Sequence, residues 1–168
     1  NITQPSTSVS LQSLVTNVLC TGNNTGSIDL TVNGGTTPYF YSWSNGSGNQ
    51  DLNNVLAGTY SVIVTDNNNC QVFDTLTITQ PSNILTGTFT QTNVVCFGQA
   101  TGTGTVSGAG GTGVYTFLWD ATAASQTTAQ ATGLVAGNYC VTVTDANGCN
   151  TSTCVSILQP SQAVAVNS

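Results

Sequence analysis

The sequence lacks the residue types on which most charged and catalytic sites depend. Its 168 residues contain no lysine, arginine, histidine or methionine, and all six acidic residues are aspartates. Charged residues make up 4% of the chain, against about 25% in a typical protein. Without basic residues there is no basic patch, which makes nucleic acid a very poor partner and disfavours charge-driven binding to anionic lipid. Without histidine there can be no Ser-His-Asp or Cys-His pair and no imidazole metal ligand.

Long apolar runs are also missing. No stretch of 18 apolar residues occurs, so we expect no membrane-spanning helix, and no signal peptide is recognisable because Asn1 opens within a repeated pattern. The hydrophobic fraction of 39% still provides material for a core. The polar surface consists of Thr, Asn, Ser, Gln and Gly, so it is nearly insensitive to salt and offers trypsin no cleavage site. Such a surface suits an extracellular protein.

The chain is a tandem repeat. The motif Gln-Pro-Ser ends at Ser6, Ser82 and Ser161, and between these marks the two segments align with a three-residue insertion between Trp119 and Gly137. A period near 77 residues is too long for a solenoid repeat and favours separate small domains, each with its own core. We therefore predict the end of a preceding repeat at 1–6, repeat 1 at 7–82, repeat 2 at 83–161, and the start of a following repeat at 162–168.

Each repeat reads as all-β. Short segments alternate apolar and polar residues, and turn signals such as Asn33-Gly34-Gly35 separate them. This pattern favours tandem immunoglobulin-like β-sandwiches. On three of the segments the residues predicted to share one face are Ile28, Leu30 and Val32; Tyr39, Tyr41 and Trp43; and Tyr60, Val62 and Val64.

The six cysteines divide into two equivalent pairs and one additional pair. Cys20 and Cys70 occupy the same repeat positions as Cys96 and Cys149. The economical assignment is one disulfide within each repeat, Cys20–Cys70 and Cys96–Cys149. In the loop-entropy model each such bond contributes roughly 4 kcal/mol.

Cys140 and Cys154 form the additional pair. They are symmetric about Asn147 of a predicted hairpin, so we expect an exposed cross-strand disulfide there. The equivalent positions in repeat 1 are Ser61 and Thr75. Three pairs of cysteines indicate an oxidising, extracellular compartment, whereas the absence of CxxC spacing and of histidine argues against a metal site.

The motifs of repeat 1 resemble those of a known family. They include Cys20-x-Gly22, "GGT" from Gly34, "PYFYSWSNG" from Pro38, and "LAGTYSVIVTDNNNC" from Leu56, followed by Gln-Pro. They are similar to the SprB-type repeat of gliding-motility adhesins and other giant surface proteins of the Bacteroidota. Repeat 2 departs from the pattern: "GVYTFLWD" replaces "PYFYSWSN", and Gly104 replaces Ile28.

The resemblance implies a long extracellular filament or adhesin on the bacterial cell surface, exported by type IX secretion and acting in cell adhesion, with no catalytic residues. It also implies O-glycosylation at Asp-Thr followed by an aliphatic residue. Asp74-Thr75-Leu76 fits that pattern, so Thr75 is a candidate site for a glycoprotein modification.

Other candidate residues have a structural and a functional interpretation. Asp66 and Asp145 begin Asn-rich turns, where an Asx turn is favoured over a calcium site because one carboxylate per site is few. A glycan hydrolase would need two facing carboxylates, for which Asp29, Asp66 and Asp74 are the candidates. The aromatic residues favour a core over a sugar-stacking platform; they are Tyr39, Tyr41, Trp43, Tyr115, Phe117 and Trp119.

The function expected from the sequence is a non-enzymatic stalk or fibre segment of a surface adhesin acting in attachment or gliding. The alternatives are a self-assembling structural fibre or sheath and a carbohydrate-binding module. The expected partners are neighbouring repeats, other copies in a fibre and surface polysaccharide. No cofactor is expected, apart from the calcium alternative.

Overall fold

A computed structural model of the chain describes residues 8–161. The chain divides into two compact units, unit 1 at residues 1–81 and unit 2 at 82–168. The division falls inside the second Gln-Pro-Ser motif. The partial repeats predicted at 1–6 and 162–168 lie outside the described residues.

Unit 1 contains six strands and no helix among its described residues. The alternating segments found in the sequence fall in strands, apart from Tyr39, which directly precedes β3. Period-two patterns fit a pleated sheet with one buried face. The strands are β1 (Ser10–Thr16), β2 (Gly26–Asn33), β3 (Phe40–Trp43), β4 (Leu52–Val55), β5 (Gly58–Thr65) and β6 (Gln71–Ile78).

Unit 2 repeats this order. Among its described residues it adds a short 3-10 helix, Ala121–Ala123, which lies in the part of the chain that carries the three-residue insertion. The side chain of Asp120 caps this helix by accepting the N–H of Ala123. The strands are β7 (Thr86–Thr92), β8 (Gly102–Ala109), β9 (Thr116–Trp119), β10 (Gln130–Leu134), β11 (Gly137–Thr144) and β12 (Asn150–Ile157).

The strand order identifies the architecture. Unit 1 has two antiparallel sheets, β1-β2-β4 and β3-β5-β6, and unit 2 has β7-β8-β10 and β9-β11-β12. These orders correspond to strands A-B-E and C-F-G of an immunoglobulin sandwich that lacks strand D. The predicted all-β, immunoglobulin-like fold is therefore confirmed.

The core of unit 1 lies between its two sheets. The faces predicted from alternation are correct, because Ile28 and Leu30 from one sheet and Val62 and Val64 from the other are fully buried together. Trp43 on β3 completes the core, and its indole Nε1–H donates to the carbonyl of Asn49 at 2.8 Å. Unit 2 buries Trp119 in the same way, with Nε1 at 3.0 Å from the carbonyl of Thr128.

A tyrosine fixes the corner before the central strand of the second sheet in each unit. The hydroxyl of Tyr60 donates to the carbonyl of Leu56 at 2.9 Å, and that of Tyr139 donates to Val135 at 3.0 Å. This is the tyrosine corner of immunoglobulin-like sandwiches, and it joins each fifth strand to the loop before it. In the part of the chain that the structure describes, no helix is long and apolar enough to cross a membrane.

Candidate functional sites at the two ends of each unit

Each unit has two structurally different ends, which we name by the direction of the chain. The incoming end of unit 1 consists of residues 34–36 and 66–70, next to Val9, which precedes β1. Its outgoing end consists of residues 17–25 and 79–81. In unit 2 the incoming end consists of residues 83–84, 110–112 and 145–149, and the outgoing end of residues 93–101 and 158–159.

A buried aspartate organises the incoming end of unit 1. Asp66 is 1% exposed. Its Oδ1 accepts the backbone N–H groups of Asn68 at 2.9 Å and Cys70 at 2.8 Å, while Oδ2 accepts that of Thr36 at 3.0 Å. One carboxylate thus closes the β5–β6 turn and ties it to the loop between β2 and β3.

Asp145 repeats this arrangement in unit 2. Its Oδ1 accepts the N–H groups of Asn147 and Cys149, both at 2.9 Å, and Oδ2 accepts that of Thr112 at 2.9 Å. Gly111 has φ +59°, and a Cβ on it would lie 2.6 Å from Asp145 Oδ2. The second glycine of the Gly-Gly-Thr motif is therefore needed for the approach of the carboxylate as well as for the turn.

These contacts also set the ionisation of the two aspartates. Burial raises the pKa of the Asp66 carboxyl, but the hydrogen bonds from Cys70, Thr36 and Asn68 outweigh it and hold the pKa below its ordinary value. Burial likewise raises the pKa of the Asp145 carboxyl. The hydrogen bonds from Thr112, Cys149 and Asn147 lower it by more, so this pKa also lies below its ordinary value. Both groups are therefore carboxylates at neutral pH.

A glutamine organises the outgoing end. The side-chain carbonyl of Gln80 accepts the N–H of Gly22 at 2.8 Å, and the hydroxyl of Thr21 donates to the carbonyl of Pro81 at 2.9 Å. In unit 2, Gln159 accepts the N–H of Gly98 at 2.9 Å. The Gln-Pro and Cys-x-Gly motifs, almost 60 residues apart in the sequence, are thus two halves of one end structure.

The predicted disulfides Cys20–Cys70 and Cys96–Cys149 are wrong in this structure. Cys70 and Cys96 are exposed free thiols, whereas Cys20 and Cys149 are disulfide-bonded. Cys70 lies at the incoming end of unit 1 and Cys20 at its outgoing end, with the eight residues of β6 between those ends. Such a strand spans about 26 Å, far beyond the roughly 7 Å between Cα atoms that a disulfide tolerates.

The same reason applies to unit 2. Cys149 lies at the incoming end, directly before β12, and Cys96 lies at the outgoing end, beside the residues that follow β12. Equivalent positions in the two repeats are therefore real, but the two cysteines of one repeat sit at opposite ends of its sandwich.

The predicted bond between Cys140 and Cys154 is formed. The two residues face each other directly on β11 and β12, with their Cα atoms 4.0 Å apart and the sulfurs at 2.02 Å. The N–H of Cys140 donates to Asp120 Oδ2 at 2.8 Å. In unit 1 the corresponding Ser61 donates its N–H to the hydroxyl oxygen of Ser44 at 3.1 Å, so the disulfide is added to an existing contact.

The aromatic residues singled out in the sequence line the cores. Trp43 is 3% exposed and Trp119 is 1% exposed. The other four are half-buried and pack against the same cores; they are Tyr39, Tyr41, Tyr115 and Phe117. All six residues therefore contribute to core packing.

The exposed aromatic residues of unit 1 are different ones, which the sequence reasoning missed. Phe40, Ile63 and Phe73 lie on the outward side of the sheet β3-β5-β6, where Ile63 faces Phe73 directly and Phe73 is 80% exposed. We call these three residues the apolar face. The alternation that buried Tyr39 and Tyr41 already placed Phe40 outward. The counterparts in unit 2 are Thr116, Thr142 and Ser152.

Thr75 lies on the same outward side as the apolar face. It is exposed and pairs with Ser61 across β5 and β6, so its hydroxyl is accessible to a modifying enzyme. Of the three carboxylates considered for a hydrolase, Asp29 is exposed on β2, Asp74 lies on β6 in the other sheet, and Asp66 is held by its three N–H donors. The structure does not bring them together as a catalytic pair.

The calcium alternative has little support from the geometry of these groups. Both oxygens of Asp66 and of Asp145 already accept backbone N–H groups, as expected for Asx turns. Within residues 8–161 no three Cys or Asp side chains are grouped closely enough to hold a metal ion.

Comparison with known proteins agrees with the repeat organisation. A family model described as SprB repeat matches residues 13–48 and 88–124, so the chain carries two SprB repeats, one in each unit. The resemblance found in the sequence is confirmed at both places. With the Cys140–Cys154 disulfide, it indicates an extracellular or cell-surface repeat protein of adhesin type. No relative was found among the curated proteins.

The solved structures that the chain matches include three that each contain several domains or modules. The eight N-terminal Ig domains of Down Syndrome Cell Adhesion Molecule match with 10% identity and a TM-score of 0.42, over 92% of this chain and 25% of that one. Extracellular domains 3–5 of Drosophila OTK match with 13% identity and a TM-score of 0.38, over 90% of this chain and 62% of that one. Clostridium thermocellum CbhA fibronectin(III)-like modules match with 12% identity and a TM-score of 0.31, over 94% of this chain and 100% of that one. The chain thus spans a quarter of the first structure and 62% of the second, and no functional argument rests on them.

Proposed function

We propose that this chain is a non-catalytic stalk segment of a long adhesin on the bacterial surface, where its repeats hold a binding region away from the cell in attachment or gliding. The observation that carries the proposal is the presence of an SprB repeat in each unit. Export by type IX secretion, the route implied by the family resemblance, is part of the same proposal.

The structure of each unit is suited to such a role. Polar side chains build the two ends of each sandwich, as Asp66, Asp145, Gln80 and Gln159 show. The surface between these ends carries no lysine or arginine, so trypsin cannot cut within the chain. A stalk exposed to extracellular proteases benefits from both properties.

Labelling of intact cells tests this function. Antibodies raised against the 168-residue chain should bind unpermeabilised source cells, and proteinase K added to those cells should remove the signal. Trypsin should release a fragment that contains the whole chain, while a cytoplasmic marker stays intact as the control. Labelling that requires permeabilisation would contradict the proposal. Deletion of the chain from its gene should reduce attachment to a surface or gliding without changing the growth rate.

A carbohydrate-binding role is the second candidate, favoured by the apolar face of unit 1. Two exposed aromatic side chains and Ile63 on the outward side of one sheet, with threonines beside them, provide the kind of surface against which sugar rings stack. A glycan array probed with the chain tests it. The double variant Phe40→Thr, Phe73→Ser, which copies unit 2, should abolish binding, whereas Val114→Ser, also an exposed apolar residue, should retain it. An array without signal for the unmodified chain would contradict the carbohydrate-binding role and leave the stalk role as the remaining candidate.

O-glycosylation of Thr75 is a further part of the proposal. The support is its exposed position on β6 within Asp74-Thr75-Leu76. The intact mass of the chain isolated from its source should exceed the sequence mass, and Thr75→Val should remove the excess, whereas Thr77→Val on the same strand should not. An unmodified intact mass would contradict it.

A further inference from the structure

We propose that Cys70 and Cys96 form disulfides between successive repeats, so that a second copy of this chain joins covalently through Cys96 of one copy and Cys70 of the next. The inference rests on the proposed stalk function and adds its covalent chemistry. It identifies two positions as linkage sites and assigns their partners.

The first observation is where the two thiols lie. Cys70 is exposed at the incoming end of unit 1, on the turn closed by Asp66. Cys96 is exposed at the outgoing end of unit 2, in the loop fixed by the bond from Gly98 to Gln159. In a head-to-tail series, the outgoing end of one copy precedes the incoming end of the next. The two thiols are therefore complementary.

The second observation comes from comparing equivalent positions. Cys96 corresponds to Cys20, and Cys70 corresponds to Cys149. Cys20 and Cys149 are both disulfide-bonded, so each of the two positions supports a disulfide in one of the repeats. The free thiols are the same two positions in the other repeat.

The fold also makes these positions suitable for a defined bond. The backbone N–H and C=O of Cys70 both bond to Asp66, at 2.8 and 2.9 Å, and the carbonyl of Cys96 accepts the N–H of Gln99 at 3.1 Å. A cysteine on such a turn presents its sulfur without local unfolding. A bond within one unit is excluded by the length of the sandwich, which leaves another repeat as the partner.

The linkage is a thiol–disulfide exchange. The thiolate of Cys70 or Cys96 attacks one sulfur of oxidised glutathione. One glutathione leaves as a thiol, and the other stays bound to the cysteine as a mixed disulfide. The partner cysteine of the second copy then displaces the remaining glutathione. Two cysteine thiols and one glutathione disulfide are consumed, and one protein disulfide and two glutathione thiols are formed.

The experiment uses the whole chain with Cys70 and Cys96 reduced, incubated with oxidised glutathione and separated on non-reducing gels. The unmodified chain should give a ladder of multiples that collapses on reduction. Cys70→Ala and Cys96→Ala should each remain monomeric when incubated alone, while their equimolar mixture should stop at a dimer. Peptide mass spectrometry of that dimer should identify a Cys70–Cys96 bond. Far-UV circular dichroism should show that both variants are folded, as expected for exposed positions.

Two outcomes would overturn the inference. One is an unmodified chain that stays monomeric, whether its two thiols remain free or carry glutathione. The other is that the single variants dimerise as readily as their mixture. The proposed stalk function is tested separately by cell labelling. Surface labelling without a ladder would reject the linkage alone, whereas a ladder from a protein that is not at the surface would reject the stalk alone.

Discussion

The two units build the same sandwich around differently filled cores. In unit 1 the core includes, besides its aromatic residues, the aliphatic side chains of Ile28 and Val32 on β2. At the equivalent positions of β8, unit 2 has Gly104 and Gly108. The rings of Trp119 and Tyr115 occupy the space above these glycines, since a Cβ on Gly104 would lie 3.0 Å from Trp119 Cη2 and one on Gly108 2.7 Å from Tyr115 Cγ.

The first strand changes together with the second. Ser13 of β1 corresponds to Phe89 of β7, whose ring lies 5.9 Å from that of Trp119. Unit 2 has thus exchanged aliphatic volume on its first sheet for aromatic volume. The fold is set by the alternation and the ends of the unit, whereas the identity of the core residues varies as long as the total volume is conserved.

The largest difference is expected when the aliphatic core of unit 1 is emptied. Ile28→Ala removes a fully buried side chain, and unit 1 has Ser13 at the position where unit 2 has the ring of Phe89. The free energy of unfolding of unit 1 should fall by about 4 kcal/mol. Hydrogen exchange of the amides of β2 and β5 measures it. Ile63→Ala, at an exposed position, is the matched control and should change it by less than about 0.5 kcal/mol. Equal effects would contradict the assignment of the core.

The second expected effect concerns the disulfide that only unit 2 contains. Cys140→Ser with Cys154→Thr gives unit 2 the residues of unit 1 and opens a loop of 14 residues. In the loop-entropy model, unit 2 should lose about 3 kcal/mol of stability. Urea unfolding followed by hydrogen exchange in β11 measures the loss. The reciprocal variant, Ser61→Cys with Thr75→Cys, should form a bond in unit 1, and its failure to oxidise would show that the two hairpins differ.

A smaller effect is expected from returning an aliphatic residue to unit 2. Gly104→Ile places the residue of unit 1 beneath the Trp119 ring, so unit 2 should lose about 2 kcal/mol through overpacking. Intrinsic fluorescence of Trp119 should shift as its ring is displaced. Combining Gly104→Ile with Phe89→Ser, which copies both residues of unit 1, should recover part of the loss. No recovery would show that the two positions are independent.

The smallest expected difference between the two units is in how their stability depends on pH in the acid range. Unit 1 has one carboxylate, Asp66, with a lowered pKa, whereas unit 2 has two, Asp120 and Asp145. A folded-state pKa below the unfolded value of about 3.9 gives stability that is present above that pH and is lost as the pH falls through the folded pKa.

Unit 2 should therefore lose stability more steeply than unit 1 below about pH 4. Hydrogen exchange at a series of pH values, corrected for the intrinsic exchange rate, measures both units in one chain. Asp120→Ser, which copies Ser44, should bring the slope of unit 2 close to that of unit 1. A steeper slope in unit 1 would contradict the assignment.

The local features of this protein follow directly from its amino-acid sequence. Strand faces such as Ile28–Leu30 and Val62–Val64 follow from period-two alternation, because successive side chains of a strand point to opposite sides. The Cys140–Cys154 bond was predictable for the same reason, since a hairpin brings residues symmetric about its turn face to face. The duplication itself also fixed which residues of the two units correspond.

Which distant residues meet depends on the fold of the whole unit. Asp66 reaches Thr36 and Gln80 reaches Gly22 because the sandwich brings loops from different strands to the same end. It also separated Cys20 from Cys70 by the length of β6, which the equivalence of their positions could not reveal. A repeat alignment shows which residues of the two units correspond. It does not show at which end of the sandwich each residue lies, because that depends on the directions of the strands in the folded unit. The end at which each cysteine lies in turn decides which thiols remain for a neighbouring repeat.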